Sequence, residues 1–184
     1  MEVMEPHKSK EKFRKRCLEQ LKKAAQSRVY AKDRKVLAVL HQWIVERNAR
    51  SIMLYLPLAM EVDLYPLIRV LRREGRTLYV PFMEGKSFRL VKYRYPLITK
   101  RFGIKEPKNS IQYRNKKIDI AIVPMVGVDL THRRVGFGKG MYDRFFEKEM
   151  KNIGFTVFVA RKLCFSSKIV TDSHDVKADR IIIP

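Results

Sequence analysis

Three alternate glycines, several cations and the carboxylate of Asp143 lie within a short stretch of this sequence, GVDLTHRRVGFGKGMYDRFF at 127–146. The glycines occupy alternate positions, and the charged residues lie around them (Gly136, Gly138, Gly140; Arg133, Arg134, Lys139, Asp143). Alternate glycines let backbone N–H groups turn towards one point, and the positive end of a following helix strengthens their field. The stretch therefore predicts a loop that holds phosphate.

Spacing separates this loop from two common phosphate-binding motifs. A Walker A loop has a glycine five residues before its Gly-Lys pair and Ser or Thr after the lysine, whereas Arg133 and Gly140 occupy these positions. A dinucleotide fingerprint needs G-x-G-x-x-G at the first helix of a βαβ unit, but G-F-G-K-G is one residue short and lies late in the chain. The loop is thus a different nucleotide loop, or it binds no nucleotide.

Length and composition indicate a single globular domain over residues 1–184, with 46% hydrophobic residues for a core and 32% charged residues for solubility. We find neither an apolar run long enough to span a membrane nor a signal sequence. Cys17 and Cys164 are too few for a disulfide framework and lack metal-ligand spacing. We therefore expect a monomeric cytoplasmic protein with reduced cysteines.

The formal net charge of +21 favours anionic partners such as nucleotides, nucleic acid or a polyanionic substrate. An equally weighted alternative is that abundant lysine is a habit of the whole proteome and that these charges are merely solvated.

Apolar periodicity predicts four helices and six strands. The helices are expected at 8–28, 32–47, 64–71 and 140–151, and the strands at 51–56, 77–80, 88–93, 116–124, 155–160 and 181–183. Asp33 is expected in the first turn of the second helix, Gly75 ends the third helix, and Pro81 ends the strand that follows it.

The order of these elements predicts an α/β fold. Residues 51–80 form one β-α-β unit, and 88–93 alternates apolar with basic residues as an edge strand does. The continuous apolar run in 116–124 is typical of a central parallel strand that is buried on both faces. We therefore predict a mainly parallel open sheet with helices on both faces, a three-layer Rossmann-like arrangement. The glycine loop follows the carboxyl end of the central strand, where such sheets bind ligands.

The loop also resembles a known signature. Residues 134–144, RVGFGKGMYDR, resemble the R-L-G-x-G-x-G-Y-Y-D motif of the 5-formyltetrahydrofolate cyclo-ligases, also called methenyltetrahydrofolate synthetases. Further segments resemble the same family along nearly the whole chain (Lys10-x-x-Phe13-Arg14, Tyr55-Leu-Pro, Glu61-Val62, Gly103-Ile104-x-Glu106-Pro107, His174-Asp175 with Asp179).

This resemblance implies ATP- and Mg²⁺-dependent closure of 5-formyltetrahydrofolate to 5,10-methenyltetrahydrofolate, with release of ADP and phosphate. The formyl oxygen would attack the γ-phosphate, and N10 would displace the phosphate from the activated intermediate. Lys139 and Arg134 would act in catalysis. Nucleotide contacts would come from Lys10, Arg14, Arg134, Gly136, Phe137, Gly138, Lys139, Gly140, Met141 and Tyr142. Leu56, Glu61, Phe137 and Tyr142 would contact the folate, and Asp143 with Asp175 would hold Mg²⁺.

Two positions depart from the family pattern. Met141 replaces the first of the two motif tyrosines, which removes a hydroxyl but keeps a bulky apolar side chain. Asp63 stands where threonine is common, two residues after Glu61. Neither change removes a charge that the chemistry needs.

Simpler interpretations exist for the same residues. Lys10 and Arg14 share one helix face and are, without the resemblance, more typical of solvated cations. Glu61 suits a surface turn, and Asp143 suits the start of a helix, where a negative charge is favourable. Three glycines within five residues are harder to explain by structure alone, because each costs backbone entropy.

The competing function is nucleic-acid binding. Residues 86–117 carry eleven Lys and Arg against one acid, Glu106, for a net charge of +10, with five aromatic residues between them. Aromatic side chains in a basic groove are typical of single-strand binding. An RNA-recognition consensus is missing, however, and the polyglutamate tail of a folate is itself a polyanion for this segment. We therefore favour the enzyme with a small-molecule substrate.

Overall fold

A computed structural model describes residues 6–100, 103–108 and 117–184 of the chain, with side chains from residue 9 onwards. Several residues of the basic segment lie outside these ranges (Arg101, Phe102, Tyr113, Arg114, Lys116).

Four α-helices and eleven strands make up the described chain. The helices are α1 Pro6–Ala24, α2 Val29–Glu46, α3 Tyr65–Arg73 and α4 Met141–Glu149, the last followed by a 3₁₀ turn at Met150–Asn152. The strands are β1 Ser51–Met53, β2 Thr77–Glu84, β3 Ser87–Lys92, β4 Leu97–Thr99, β5 Lys105–Pro107, β6 Ile118–Pro124, β7 Gly127–Asp129, β8 Arg134–Val135, β9 Ile153–Val159, β10 Phe165–Ser166 and β11 Arg180–Ile182.

The central sheet has six strands in the order β11-β9-β6-β1-β2-β3. Its pairs are parallel except for the edge strand β3, which is antiparallel to β2. The predicted α/β class and the predicted edge position of the 88–93 strand are thus confirmed. Two small sheets, β10-β7-β8 and β4-β5, were not predicted, because strands of two or three residues carry no readable periodicity.

Alternation along β6 gives the sheet its two cores. Ile120 and Ile122 join the cluster under α2 and α3, whereas Ala121 and Val123 join the cluster under α1 and α4. Because successive side chains of a strand point to opposite faces, an unbroken apolar run is what a sheet covered on both sides requires. This confirms the buried central strand, and its carboxyl end leads towards the glycine loop.

Three predicted boundaries were wrong for identifiable reasons. Strand β2 continues past Pro81 to Glu84, because its parallel partner β1 ends at Met53 and the rest of β2 pairs only with the edge strand β3. The first helix ends at Ala24, and α2 begins directly after Arg28, which has a left-handed backbone (φ 49°). No glycine or proline marks these two helix boundaries in the sequence.

The expectation of reduced cysteines was also wrong. Cys17 on α1 and Cys164 after β9 form a disulfide, and both are buried. The sequence argument failed because two cysteines 147 residues apart show no local pattern, whereas the fold brings their Cα atoms to 5.6 Å. A Cβ at Gly127 would lie 3.0 Å from the Cys17 sulfur, so the close approach of α1 to β7 needs glycine there.

Asp33 does not lie in the first turn of α2 and has a different role. Its carboxylate accepts two hydrogen bonds from the Arg161 guanidinium, both 2.8 Å long, and both side chains are almost fully buried. Arg161 also donates to the Ala59 carbonyl at 2.8 Å, and Asp33 accepts the Asp63 amide at 3.1 Å. The ion pair therefore fixes the turn that follows β1 and carries Glu61.

We expect Asp33→Ala to lower the free energy of unfolding by about 3–5 kcal/mol, because it leaves the Arg161 guanidinium buried without a counter-charge. For a chain of this size that corresponds to a melting temperature lower by roughly 6–20 °C, measurable by thermal denaturation.

Glu46→Ala on the same helix is the control, since Glu46 is exposed and contacts Gln42 at the surface, so its loss should change the free energy of unfolding by less than about 0.5 kcal/mol. Adding Arg161→Met to Asp33→Ala should restore part of the loss. Equal melting temperatures for the Asp33 and Glu46 variants would contradict the prediction.

Candidate active site

A pocket of about 520 Å³ opens at the carboxyl end of the central strand, between the glycine loop, α1 and the turn after β1. All the residues predicted for the site line it (Lys10, Arg14, Leu56, Glu61, Arg134, Gly136, Phe137, Gly138, Lys139, Gly140, Met141, Tyr142, Asp143, Asp175). Their individual roles remain predictions, but they share one cavity.

Arg134 is the buried cation of this pocket, with 4% of its surface exposed. Its Nε donates to the Pro124 carbonyl at 2.8 Å, and its guanidinium lies 4.7 Å from the centre of the Tyr142 ring. Burial lowers the pKa of Arg134, and the carboxylates of Asp143 and Glu61 oppose that shift. Arg134 is thus a fixed positive charge at the end of β6.

The structure favours glycine at two of the loop positions, for different reasons. A Cβ at Gly136 would lie 2.5 Å from the Arg134 guanidinium, so glycine lets the loop pass over this side chain. Gly140 begins α4 with a left-handed backbone (φ 61°), and a Cβ there would lie 2.8 Å from Arg144. Room beside Arg134 and the left-handed backbone before α4 therefore account for two of the three glycines, and phosphate binding by the loop stays a prediction.

Arg144 ties the loop to the rest of the pocket. Its guanidinium donates to the Lys139 carbonyl and, at 2.7 Å, to the Lys86 carbonyl in the turn between β2 and β3. The hydroxyl of Ser87, the first residue of β3, lies 3.4 Å from the Met141 carbonyl. The loop around Lys139 is thus anchored from the neighbouring hairpin, while the Lys139 side chain itself is exposed.

Helix α1 adds two cations to the pocket. The Arg14 Nε donates to the Gly136 carbonyl at 2.9 Å. The Lys10 ammonium contacts the carboxylates of Asp175 and Asp172, the latter at 2.9 Å. Burial lowers the pKa of Lys10, but the hydrogen bonds to the two carboxylates outweigh that effect and leave the pKa above its ordinary value.

Asp143 lies near the chain segment of Asp175 although 32 positions separate them, since the amide of the next residue, Val176, lies 3.4 Å from the Asp143 carboxylate. Their oxygens are hard donors that suit Mg²⁺. The Lys10 ammonium between Asp172 and Asp175 shows that a cation is already accepted here. Asp172, His174 and Asp175 also place one ligand atom each within 4.8 Å of one another. The residues present therefore fit a divalent cation.

Glu61 supplies a carboxylate from the turn after β1. One of its oxygens accepts the Leu58 amide at 2.8 Å, and the Tyr55 hydroxyl donates to the Val62 carbonyl at 3.0 Å to close the turn. Burial raises the pKa of Glu61 to about 7, against the opposing effects of the Leu58 amide and Arg134. Glu61 can therefore change its charge near neutral pH.

Aromatic and apolar side chains form the wall between these charges. Phe88 stacks on Phe145 with ring centres 4.5 Å apart and meets the Tyr142 ring edge-on at 5.0 Å. Met141 packs against the same cluster, so the apolar contact expected at this position is retained without a hydroxyl. Phe88, Met141 and Tyr142 therefore give this side of the pocket an apolar lining.

Sequence reasoning missed several residues of the pocket. Some line it directly from other strands and loops (Tyr55, Leu58, Pro81, Met83, Phe88, Ile104, Pro124, His174). Arg144 and Asp172 act through contacts that only the fold creates. A usable signal existed for Tyr55, Ile104 and His174, since each lies within a segment of the resemblance.

The fold and the pocket define a class, an α/β enzyme with its site at the carboxyl edge of a parallel sheet. A family model described as the 5-formyltetrahydrofolate cyclo-ligase family matches residues 6–184. The chain therefore belongs to the 5-formyltetrahydrofolate cyclo-ligase family, whose members are ligases. This membership favours the enzyme over the nucleic-acid-binding alternative.

Individual relatives agree with that assignment. The chain is 28% identical over 147 residues to the 5-formyltetrahydrofolate cyclo-ligase of Haemophilus influenzae, covering 76% of this chain and 79% of the relative. It is 27% identical over 143 residues to the Escherichia coli enzyme, covering 74% and 79%.

Two solved structures share the fold. The NMR structure of Aquifex aeolicus 5,10-methenyltetrahydrofolate synthetase superposes with a TM-score of 0.75 at 30% identity, covering 94% of this chain and 88% of that one. The Mycoplasma pneumoniae 5,10-methenyltetrahydrofolate synthetase superposes with a TM-score of 0.72 at 21% identity, covering 95% and 98%. Among the described residues, no helix has the length and apolar character needed to cross a bilayer.

Proposed function

We propose that the chain closes 5-formyltetrahydrofolate to 5,10-methenyltetrahydrofolate with cleavage of ATP to ADP and phosphate. The observation that carries this proposal is that cations, carboxylates and an apolar wall from distant parts of the chain converge on one pocket. The decisive test is whether the absorbance of methenyltetrahydrofolate appears when purified protein meets 5-formyltetrahydrofolate, Mg²⁺ and ATP.

In the proposed reaction the formyl oxygen attacks the γ-phosphorus and ADP leaves. N10 then attacks the formyl carbon, phosphate leaves with the oxygen, and N10 gives up its proton as the ring closes. Such chemistry needs positioned reactants and balanced charge more than a protein nucleophile. A ligase pocket lined by fixed cations meets that need.

The cations would bind the nucleotide. Lys10 and Arg14 on α1 would contact the phosphates, and the glycine loop would wrap ATP. Lys139 would reach the transferred phosphoryl group, since its side chain is exposed at the pocket while its backbone is anchored by Arg144. Buried Arg134 would stabilise the charge that develops during transfer.

Asp143 and Asp175 would hold Mg²⁺, which supplies counter-charge to the phosphate oxygens when bound. Leu56, Phe137 and Tyr142 would contact the folate ring system, and Glu61 would accept hydrogen bonds from the pterin amino and ring N–H groups.

Location and assembly are part of the proposal. We include a monomeric state in the proposal. A cytoplasmic location would give access to ATP. The Cys17–Cys164 disulfide is unusual for that compartment, because cytosolic disulfides are uncommon outside hyperthermophiles.

Replacing Lys139 with alanine should lower kcat by roughly 10²-fold or more, because one preorganised charge-stabilising group is lost. The melting temperature should stay the same, since the side chain is exposed. Steady-state kinetics with thermal denaturation measures both. Lys148→Ala, an exposed lysine on α4 outside the pocket, is the control. Wild-type turnover in the Lys139 variant would sink the assignment.

Folate affinity should depend on pH through Glu61. Ionised Glu61 accepts two N–H groups and protonated Glu61 does not, so affinity should rise as pH passes upward through about 7. The loss at acidic pH should be roughly 10- to 100-fold, as for a hydrogen bond to a charged group. Titration calorimetry from pH 5.5 to 8.5 measures it, and Glu61→Gln should bind weakly without the step.

The raised pKa of Glu61 should also make the free energy of unfolding depend on pH. Its pKa is raised on folding from the ordinary 4.5 to about 7, so the unfolded chain binds fewer protons between these values. The contribution of Glu61 should therefore make the protein less stable as pH rises from about 4.5 to 7, and Glu61→Gln should remove that slope. The prediction would be refuted if wild type and Glu61→Gln showed the same pH dependence of folate binding and the same pH dependence of stability.

The basic segment 86–117 would bind a polyglutamate tail on the folate. Lys105 lines the pocket, with its ammonium 5.3 Å from the Tyr65 ring centre, and Lys100 is exposed nearby in sequence. Neutralising Lys100, Arg101 and Lys105 should raise KM for polyglutamylated substrate roughly fivefold to hundredfold at low salt, with kcat unchanged.

The monoglutamate substrate is the internal control and should keep its KM. Neutralising Lys12, Lys22 and Lys23 on the exposed face of α1 removes the same net charge elsewhere and should have little effect. Equal KM changes for both substrates would reject tail binding.

A further inference from the structure

The Lys10 ammonium lies between two carboxylates that are far away in sequence. Its Nζ is 2.9 Å from the Asp172 carboxylate and also contacts that of Asp175. The Lys10 and Asp175 side chains are 13% and 5% exposed, so this pair is largely shielded from water. A surface lysine would not be held in this way.

The buried carboxylate needs a cation. The Asp175 oxygen that contacts Lys10 also accepts the Asp172 amide at 2.7 Å, which fixes its position. Asp143, the other carboxylate assigned to Mg²⁺, faces the next residue, Val176. An ammonium on Asp175 and a divalent cation on Asp143 and Asp175 would repel each other at short range.

We propose that Lys10 is an exchangeable counter-ion: it neutralises Asp172 and Asp175 in the resting protein and moves to the nucleotide phosphates when a divalent cation takes the carboxylates. The inference rests on the proposed function. Lys10 lies at the end of α1 that lines the pocket and has four rotatable side-chain bonds, so its ammonium can turn from one partner to the other.

This exchange has a thermodynamic consequence. Without nucleotide, Lys10 and the metal compete for the same carboxylates, so Lys10 weakens binding of the free metal. With nucleotide, the phosphates give Lys10 another partner and the competition is relieved. By linkage, metal and nucleotide then raise each other's affinity by the same factor.

The test is binding of Mn²⁺ alone to the full-length, nucleotide-free protein, followed by electron paramagnetic resonance. Lys10→Met should bind Mn²⁺ more tightly than wild type, within the 5- to 150-fold range usual for coupled sites. Lys10→Gln should do the same and serves if the methionine variant fails to fold. Lys10→Arg keeps the charge and should stay within about twofold of wild type.

Two controls separate this exchange from general electrostatics. Lys12→Met removes the same charge from the exposed face of α1 and should leave Mn²⁺ affinity unchanged. Arg14→Met and Lys10→Met should both weaken ATP binding in the presence of EDTA, but Arg14→Met should not tighten Mn²⁺ binding, since Arg14 donates to the Gly136 carbonyl.

Unchanged or weaker Mn²⁺ binding in both neutral Lys10 variants would overturn the inference, as would equal tightening in Lys12→Met. None of these measurements needs turnover, so the two proposals fail separately. Tighter Mn²⁺ binding in a protein without cyclo-ligase activity would support the exchange and remove the proposed function. Normal cyclo-ligase activity of the wild type, with Mn²⁺ affinity unchanged in the neutral Lys10 variants, would support the proposed function and reject the exchange.

Discussion

The buried guanidinium of Arg134 is the constraint on which the rest of the pocket depends. A charge with 4% exposure needs fixed partners, and it finds the Pro124 carbonyl at the end of β6 and the face of Tyr142 on α4. These contacts couple the central strand to the helix after the loop. They also decide the loop sequence, because only glycine at position 136 leaves room for the guanidinium.

The acidic side chains of the pocket are neutralised in two different ways. Glu61 has two cations in its surroundings, yet burial wins and leaves its pKa at about 7. Asp175 instead keeps a direct ammonium partner, Lys10. A carboxylate poised near neutrality can gain charge when a donor arrives, while one that is already paired must exchange its partner. The two acidic groups therefore prepare the pocket for ligands of different chemistry.

Sequence patterns predicted what is periodic or backbone-determined. The apolar run of β6 and the basic alternation of β3 fixed the sheet's centre and edge, and Gly75 does end α3 with a left-handed backbone. The sequence did not reveal which distant residues lie close together in the fold. The Cys17–Cys164 bond has no local signature, and the extension of β2 past Pro81 depends on where its neighbour ends. The glycine loop was readable from the spacing of its residues, but the individual roles in the site came from family resemblance, which carries positions and not contacts such as that of Lys10 with Asp172.

The packing of helix α1 on the sheet sets the orientation of the two cations that it contributes to the pocket. Cys17 and Leu21 follow Phe13 at four-residue steps, and all three are buried against the sheet. This row fixes the rotation of the helix about its axis, and the disulfide at Cys17 fixes its position along the sheet. Lys10 and Arg14 lie four residues apart beside that row, so both reach the same pocket wall. The direction of the two cations is therefore set by apolar packing one turn away, and a change in that packing would move both charges together.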